Sequence, residues 1–555
     1  MPLTPYTGPF GRPELTHLLK RSLFGCTNAD LTHFSGQSLD QVIDALLNFT
    51  NDTTPPLKTY WNLNGTAPDP NLLDPQVAFG ETWIDTIRYG NDVEITDLTS
   101  ARIQSYMWWR TGLMVQQERT LREKVALFWF NHMPTQVFQV FNPRLSYDYD
   151  QLLRTQALGN FRQLIHDVST SGAMLLYLNG YLNTVTAPDE NYARELMELF
   201  TLGEGSGYTE SDVQAAARVL TGWTVRETDA LGDPVLPFIS FRPSQHDTTD
   251  KQFSAFFNNT LITGQSGTPA GEGELNLLLD MITAKDEVSL FMCRNLYRFF
   301  VHGEIDAATE TNVIEPLAEI FRANAAAPDQ MRTVIRALLT CDHFFSAQVR
   351  ACMIMAPVDL VMGSIRKLKV AMPTPAQLEA QYSVWRDIYY LTSYSGQELL
   401  NPPNVAGWPA YYQSPSFDNI WMDTATYPAR KNSLLGIIYG GFATADDIYQ
   451  PESQNLEFKC DLLAVVAEFT DPTDPNALVN EATELLFSVP VSNGVKAQLK
   501  TNYLLLGQMN DVYWSDAYEV YVADPNTPDM TAQLVPSILL WMFGDMAGAA
   551  ETQMH

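Results

Sequence analysis

The side chains best suited to chemistry lie on one short predicted helix, residues 189–202. At 100° per residue, one face of this helix carries an amide, a guanidinium and two carboxylates: Asn191, Arg194, Glu195 and Glu198. Such a set can bind a cation or transfer protons. The alternative is a solvated face on which the arginine forms i,i+4 ion pairs with glutamates. The sequence leaves both interpretations open.

Two histidines could complete such a site. His132 ends a predicted helix, one turn after Phe128 on its apolar stripe. It is either a core histidine bonded to a carbonyl group, or a ligand or general base at a helix end, where the dipole would favour the protonated form. His246 precedes Asp247 on a predicted loop, and functional side chains are common on loops.

Together these residues predict a site of carboxylates and histidines that could bind a divalent metal ion. Glu195 and Glu198 would supply oxygen ligands. His132 and His246 would supply nitrogen ligands, with Asp247 as a ligand or as the orienting partner of a histidine. The candidate catalytic groups are those of Glu195, His132 and His246. Oxygen-rich ligation would favour a hard or borderline ion over a soft one.

Three classes of function stay open on these residues. The first is a metal-dependent hydrolase or oxidoreductase, although His-Glu-x-x-His, paired Glu-x-x-His and zinc-finger spacings are absent from the sequence. A metal-free hydrolase has only weak nucleophile candidates, such as Ser244 near His246, and no Gly-x-Ser-x-Gly sequence. The third class is a non-enzymatic acidic helical scaffold that binds a protein partner or a polymer, with the polar helix as a buried hydrogen-bond hub.

The elements around these residues predict a mainly α-helical, large globular fold. Helical periodicity recurs along the chain, and residues 97–133 form two such helices. A small β-rich insertion is expected near residues 224–262, where aromatic and β-branched residues alternate with turns. Residues 51–75, rich in Pro, Asn, Asp and Thr, predict a long surface loop. We expect a helical core over residues 1–440 and a helical extension or cap over residues 441–555.

A rigid loop is predicted at residues 401–409, because Pro402 and Pro403 fix the backbone. Gly407 and Trp408 could place an aromatic edge against a cleft, or the tryptophan could simply pack in the core. We therefore expect Trp408, with Asn191 and Arg194, to support the site rather than to react.

Composition narrows the possible partners. The 555 residues include 34 Lys and Arg against 64 Asp and Glu, a formal charge of −30. Such a surface repels phosphate backbones and anionic lipids, so neither nucleic acid nor a membrane surface is an expected partner. No apolar run is long enough to span a bilayer. The first eleven residues lack the pattern of a signal peptide, which predicts a cytoplasmic location by default. The five cysteines are scattered and predict reduced core thiols.

Several blocks, in chain order, are similar to those of one known family. They include Arg122-Glu-Lys-Val-Ala-Leu-Phe-Trp-Phe-Asn-His132, Asn191-Tyr-Ala-Arg-Glu-Leu-Met-Glu-Leu-Phe-Thr-Leu-Gly203, Ala217-Arg-Val-Leu-Thr-Gly-Trp223 and Asn401-Pro-Pro-Asn-Val-Ala-Gly-Trp-Pro409. Over about residues 10 to 440 the chain resembles the bacterial DUF1800 family, whose members are uncharacterised. The resemblance implies that many relatives are exported. It also implies a possible protein partner of the DUF1501 type, because genes of that family often lie beside those of DUF1800.

Overall fold

Helices dominate the computed structural model, which describes residues 3–50 and 53–555. The mainly α-helical class predicted from the sequence is confirmed. In the first half of the chain the α-helices are Arg12–Ser22, Asn28–Phe34, Leu39–Leu47, Asp92–Val115, Arg122–His132, Val137–Val140, Pro143–Thr155, Phe161–Ser169, Gly172–Tyr177, Asn191–Glu195, Glu210–Val219 and Pro269–Thr283. In the second half they are Asp286–Phe300, Ala307–Thr309, Glu315–Ala323, Gln330–Leu339, Pro357–Lys367, Leu378–Tyr394, Thr426–Tyr439, Leu462–Val466, Pro475–Leu486, Asn493–Leu499, Val512–Ala523 and Val535–Ala547.

The strands form small antiparallel pairs. They are Asn62–Asn64 with Ala67–Asp69, Trp223–Thr228 with Pro234–Phe241, Lys251–Gln252 with Leu261–Ile262, and Phe442–Ala443 with Glu457–Phe458. Two of these pairs form the β-rich insertion predicted near residues 224–262, which is confirmed. Gly222 precedes the longer hairpin and has φ 97°, a conformation that favours glycine. A Cβ there would also lie only 3.0 Å from the Arg242 carbonyl oxygen, so the close approach of these two backbone segments needs a glycine.

The segment predicted as a surface loop, residues 51–75, has a buried anchor. Asn51 and Asp52 lie outside the described residues. The Lys58 amino group is buried and donates to three backbone carbonyls between residues 70 and 77, at 2.7 to 2.9 Å. The buried Asp74 carboxylate accepts two hydrogen bonds of 2.9 Å from Arg102. These contacts tie the segment to the long Asp92–Val115 helix.

The Arg122–His132 helix lies at the centre of the core, and every residue in it is buried. The charged side chains in its first turn are buried, and their charges are balanced by ion pairs within the protein. The Glu123 carboxylate accepts hydrogen bonds from Arg110 at 2.5 Å, Arg122 at 2.9 Å and Arg154 at 2.7 Å. Burial opposes ionisation of Glu123, but the three guanidiniums outweigh it and lower its pKa to about 2. The rigid helix then holds His132 at its far end.

The polar helix begins at Asn191, two residues after the predicted start, and ends before Gly203 as its sequence indicates. The N-cap position is held by Glu190, and the Asp189 carboxylate just before it accepts the Asn191 N–H at 2.8 Å. The α-helix Asn191–Glu195 continues as a π-helix, Leu196–Thr201, a form that is often found at functional sites. Gly203 follows with φ 88°, where a Cβ would meet the Phe291 ring at 2.9 Å.

The C-terminal residues pack against the rest of the chain. The Val535–Ala547 helix contacts the Thr426–Tyr439 helix. The Lys20 amino group donates to the Phe487 carbonyl at 3.0 Å. Within the part of the chain that the structure describes, no helix is both long and apolar enough to cross a membrane.

Candidate functional site

Glu195 and Glu198 are half-buried carboxylates on the polar helix. Among the residues that the structure describes, neither makes a hydrogen bond or an ion pair with another side chain or with the backbone. Most acidic groups of this chain that are removed from water have such a partner. The pair therefore combines partial desolvation with mutual repulsion, and the nearby Arg194 charge offsets only part of that cost for Glu195.

The surroundings of the pair shift several pKa values upward. Burial, followed by repulsion from Glu198, raises the pKa of Glu195 to about 7. Burial and the Glu195 charge raise the pKa of Tyr177 to about 12. Burial and the Glu198 charge do the same for Tyr208. Glu195 can therefore exchange a proton near neutral pH, with two phenol groups held protonated near the carboxylates.

Arg194 and Asn191 have structural partners. The Arg194 guanidinium pairs with Glu190, at 3.0 Å, and with Glu210 on the next helix. The hydrogen bond to Glu210 and the nearby carboxylates raise the pKa of Arg194. The Asn191 amide donates to the Leu178 carbonyl at 3.4 Å. Both residues fasten the helix to its neighbours, and a supporting role at a functional site stays a prediction.

His132 is a buried histidine bonded to a carbonyl group. Its Nε2 lies 2.9 Å from the Phe200 carbonyl oxygen, in the π-helical turn of the polar helix. Its ring stacks on Phe128 with an interplanar angle of 6° and packs beside Phe291. Burial lowers the pKa of His132 to about 4 and outweighs the hydrogen bond to the Phe200 carbonyl, which acts to raise it. The imidazole is thus neutral at pH 7 and joins two helices.

His246 lies in a closed polar network beneath the β-rich insertion. The side chain is fully buried. Its Nδ1 lies 2.9 Å from the Thr221 carbonyl oxygen, and its Nε2 lies 3.2 Å from the Glu274 carboxylate. Glu274 also pairs with the buried Lys251 amino group at 2.6 Å. Burial acts to raise the pKa of Glu274, but the neighbouring His246 imidazole and the Lys251 ammonium prevail and lower it.

Asp247 extends this network towards the surface. Arg218 donates to its carboxylate at 2.7 Å, and the Thr249 N–H does so at 2.8 Å. Burial opposes ionisation of Asp247, yet these donors hold the pKa of its carboxyl well below the usual range. The Asp247 N–H in turn donates to the Thr221 hydroxyl at 2.8 Å. Every charged member of the network therefore has an opposite charge beside it.

The five predicted metal ligands fall into three separate places. His132 touches the polar helix through the Phe200 carbonyl, whereas Glu195 and Glu198 form no bond with it. His246 and Asp247 belong to the network around Glu274. Across residues 3–50 and 53–555, no group of three or more His, Cys, Asp and Glu side chains is placed to hold a metal ion. Metal binding by these five residues stays a prediction.

Sequence reasoning did not single out Glu274, although a signal was present. Leu278 and Ile282 follow it at one and two turns on the buried face of the Pro269–Thr283 helix. A carboxylate on an apolar stripe needs a buried cation. Tyr177 and Tyr208 were also missed, because they lie on other segments and no spacing relates them to Glu195.

Trp408 lies at the edge of a cleft of about 540 Å³. The indole is only 2% exposed, and the Trp408 N–H donates to the Asn131 side chain at 2.9 Å. Gly407 has φ 86°, and a Cβ there would meet the Asn131 carbonyl at 2.4 Å. The loop is therefore locked onto the end of the central helix, and Trp408 both packs in the core and lines the cleft.

Comparison with curated proteins and with solved structures finds no match. Comparison with family models gives one, described as a protein of unknown function (DUF1800), over residues 17–522. The match includes the Arg122–His132 helix, the polar helix and the loop that carries Trp408. It also extends beyond residue 440, where the sequence blocks had become sparse. Since it spans nearly the whole chain, the protein belongs to the DUF1800 family.

Proposed function

We propose that the protein is an enzyme whose reaction centre is the Glu195–Glu198 pair. Glu195 would act as the proton-transfer group, and Glu198 would be the ligand of a divalent cation. The observation that carries this proposal is the absence of any partner for either half-buried carboxylate in the described part of the chain. Elsewhere, the buried carboxylates of Glu123 and Glu274 both have cations beside them.

The oxygen ligands favour a hard ion such as Mg²⁺, Mn²⁺ or Ca²⁺, with water completing the coordination. Such ions suit hydrolysis better than oxidation, because they polarise a substrate oxygen and activate water. A carboxyl that titrates near pH 7 can accept the proton of the attacking water and later return it to the leaving group. We therefore propose a hydrolase ahead of an oxidoreductase.

The first test is metal content, measured by plasma mass spectrometry on protein purified without an affinity-metal column. Near-stoichiometric divalent ion, lost in folded Glu195→Gln and Glu198→Gln variants but kept in Glu190→Gln, would support the proposal. If the purified protein is empty, Mn²⁺ titration by calorimetry replaces the content measurement. Equal binding by the wild type and all three variants, or no binding at all, would rule out the cation.

A second candidate is a non-enzymatic scaffold that binds a polymer, and the cleft beside Trp408 favours it. The cleft lining includes Gln136, Ser393 and Asn401, and it contains neither lysine nor arginine. Its one carboxylate, Glu398, accepts bonds from Tyr389 at 2.9 Å and from Asn401 at 3.1 Å. Amides and hydroxyls beside apolar walls suit a neutral polyhydroxylated chain.

Affinity electrophoresis with laminarin and with xylan tests this candidate. If laminarin or xylan slows migration of the wild-type protein, this retardation should be lost in Ser393→Tyr, whose larger side chain would fill the cleft. It should be kept in Glu195→Gln. The absence of retardation would leave the cleft without a polymer role. A protein partner of the DUF1501 type stays a prediction that rests on the family resemblance alone.

A further inference from the structure

The Val512–Ala523 helix exposes a face that mixes apolar and acidic side chains. The exposed residues of this face are Val512, Asp516, Glu519, Val520 and Ala523. At 100° per residue they lie within about 100° of one another. The opposite side of the helix holds the buried side chains of Trp514, Ala517 and Tyr518. The helix therefore packs on one side and presents the other side to water or to a partner.

Hydrogen bonds fix the orientation of this helix. The Trp514 indole N–H donates to the Pro472 carbonyl at 2.9 Å, and the Ser515 hydroxyl donates to the Thr473 carbonyl at 2.8 Å. Both bonds tie the helix to the turn before the Pro475–Leu486 helix. The exposed face is thus held in one orientation.

Two exposed methionines flank the helix in the chain. Met509 is 94% exposed, more than any other large apolar side chain of the described residues. Met530 is 84% exposed, and it precedes the short helical turn Ala532–Leu534, which packs against the same helix. Exposed apolar area grouped along one element is typical of an interaction surface, and the flexible thioether adapts to different partners. The acidic–apolar surface comprises Met509, Val512, Asp516, Glu519, Val520 and Met530.

The sequence around this surface is acidic. Residues 501–555 contain neither lysine nor arginine. The acidic residues in this range are Asp511, Asp516, Glu519, Asp524, Asp529, Asp545 and Glu551. Lys500 pairs with Asp511 at 2.9 Å, and the carboxylates of Asp524 and Asp529 accept backbone N–H groups of the following turn. Among the described residues, Asp516 and Glu519 form no ion pair or side-chain hydrogen bond.

This charge distinguishes between possible occupants of the surface. A second copy of the chain would bring the same acidic surface and a formal charge of −30, so like charges would oppose the contact. Anionic lipids would be repelled for the same reason. A partner with both cationic and apolar side chains would cover the methionines and valines and would supply counter-charges for the carboxylates. An amphipathic helix carries that combination along its length.

We propose that the acidic–apolar surface is the docking site of a basic amphipathic segment of another protein. The apolar face of that segment would cover the exposed methionines and valines, and its cations would meet Asp516 and Glu519. The Val512–Ala523 helix has 12 residues and is about 18 Å long, which matches a partner helix of three to four turns. The proposal does not depend on the role of the Glu195–Glu198 pair.

The probe is a fluorescein-labelled peptide of about 18 leucine and lysine residues, arranged so that its helix has one apolar face. Its binding to the full chain is followed by fluorescence anisotropy. A peptide of the same pattern, with glutamate in place of lysine, is the charge control. We expect the Leu–Lys peptide to bind and the Leu–Glu peptide not to bind.

Two pairs of substitutions with the same change in net charge locate the binding. Asp516→Asn with Glu519→Gln should weaken binding of the Leu–Lys peptide about fivefold, because two charge pairs are lost. Asp97→Asn with Glu118→Gln removes two exposed carboxylates that form no ion pair among the described residues, and should leave the affinity unchanged. Circular dichroism checks that both variants fold.

Met509→Ser with Met530→Ser tests the apolar contribution, and it should also weaken binding at least about fivefold. An unchanged affinity in this variant, an equal loss in the two charge variants, or no preference for the Leu–Lys peptide would overturn the proposal. So would self-association of the chain in analytical ultracentrifugation, or flotation with phosphatidylcholine vesicles, if the methionine variant abolishes it. The surface would then have another occupant.

Discussion

Two polar clusters of this protein differ in how their charges are balanced. Around His246, each buried charge has a counter-charge: Glu274 beside Lys251, and Asp247 beside Arg218. On the polar helix, Glu195 and Glu198 are half-buried and form no ion pair among the described residues. The first arrangement holds elements together and leaves no room for a ligand. The second leaves a charge for a ligand to meet, which is why we place function there.

The largest effect should come from breaking the closed cluster. Glu274→Leu would leave the Lys251 ammonium buried without a partner, and we expect a loss of about 3–5 kcal/mol in the free energy of unfolding. Glu272→Gln, on the exposed side of the same helix, should cost less than about 1 kcal/mol. Urea denaturation at pH 7 measures both. Similar losses for the two variants would mean that the Glu274 cluster does not support the fold.

A smaller effect is expected at His132. Its folded-state pKa is about 4, below the unfolded value, so its stabilising contribution is full above pH 6.5 and is lost as the pH falls. His132→Gln can keep the bond to the Phe200 carbonyl and does not titrate. Relative to this variant, the wild type should lose about 1 kcal/mol between pH 7 and pH 5.5. A difference that does not change with pH would show that His132 is not a buried neutral imidazole.

The smallest effect, and one of opposite sign, is expected at Glu195. Its pKa is raised to about 7, so the contribution of its carboxyl is full below pH 4.5 and is lost as the pH rises through 7. Glu195→Gln should therefore be more stable than the wild type at pH 8, by about 0.5–1 kcal/mol after allowance for solvent screening, and equal to it at pH 5. Thermal unfolding at both pH values, with Glu190→Gln as the matched control, would show it. A destabilised Glu195→Gln at pH 8 would mean that the carboxylate has a partner.

The sequence was sufficient for the helices and for the β-rich insertion, because both depend on local periodicity and capping. The polar helix, for example, starts just after Asp189, whose carboxylate accepts the Asn191 N–H, and stops before Gly203. Local pattern could not show that the helix becomes π-helical after Glu195, since that depends on how Phe200 packs and on the bond to His132.

The candidate site was predictable only in part, because its contacts depend on tertiary packing and not on local sequence pattern. Spacing placed Glu195 and Glu198 on one face of the helix. It could not show which side chains of that face form ion pairs or hydrogen bonds with other elements. His132 and His246 looked alike as potential ligands, yet each is bonded within the protein, one to a carbonyl and the other in a charged network. Glu274, which lies 28 residues beyond His246, reaches it only through the tertiary fold.

Carboxyl footprinting tests the contrast between the two clusters most directly. The folded protein is treated at pH 6.5 with a carbodiimide and glycine ethyl ester, with and without Mn²⁺, and labelled carboxyls are located by peptide mass spectrometry. We expect that Glu195 and Glu198 are labelled, that Mn²⁺ protects them, and that Asp247 and Glu274 stay unlabelled in both conditions. Labelling of Glu274 as fast as that of Glu195, or labelling of Glu195 that Mn²⁺ does not change, would contradict this expectation.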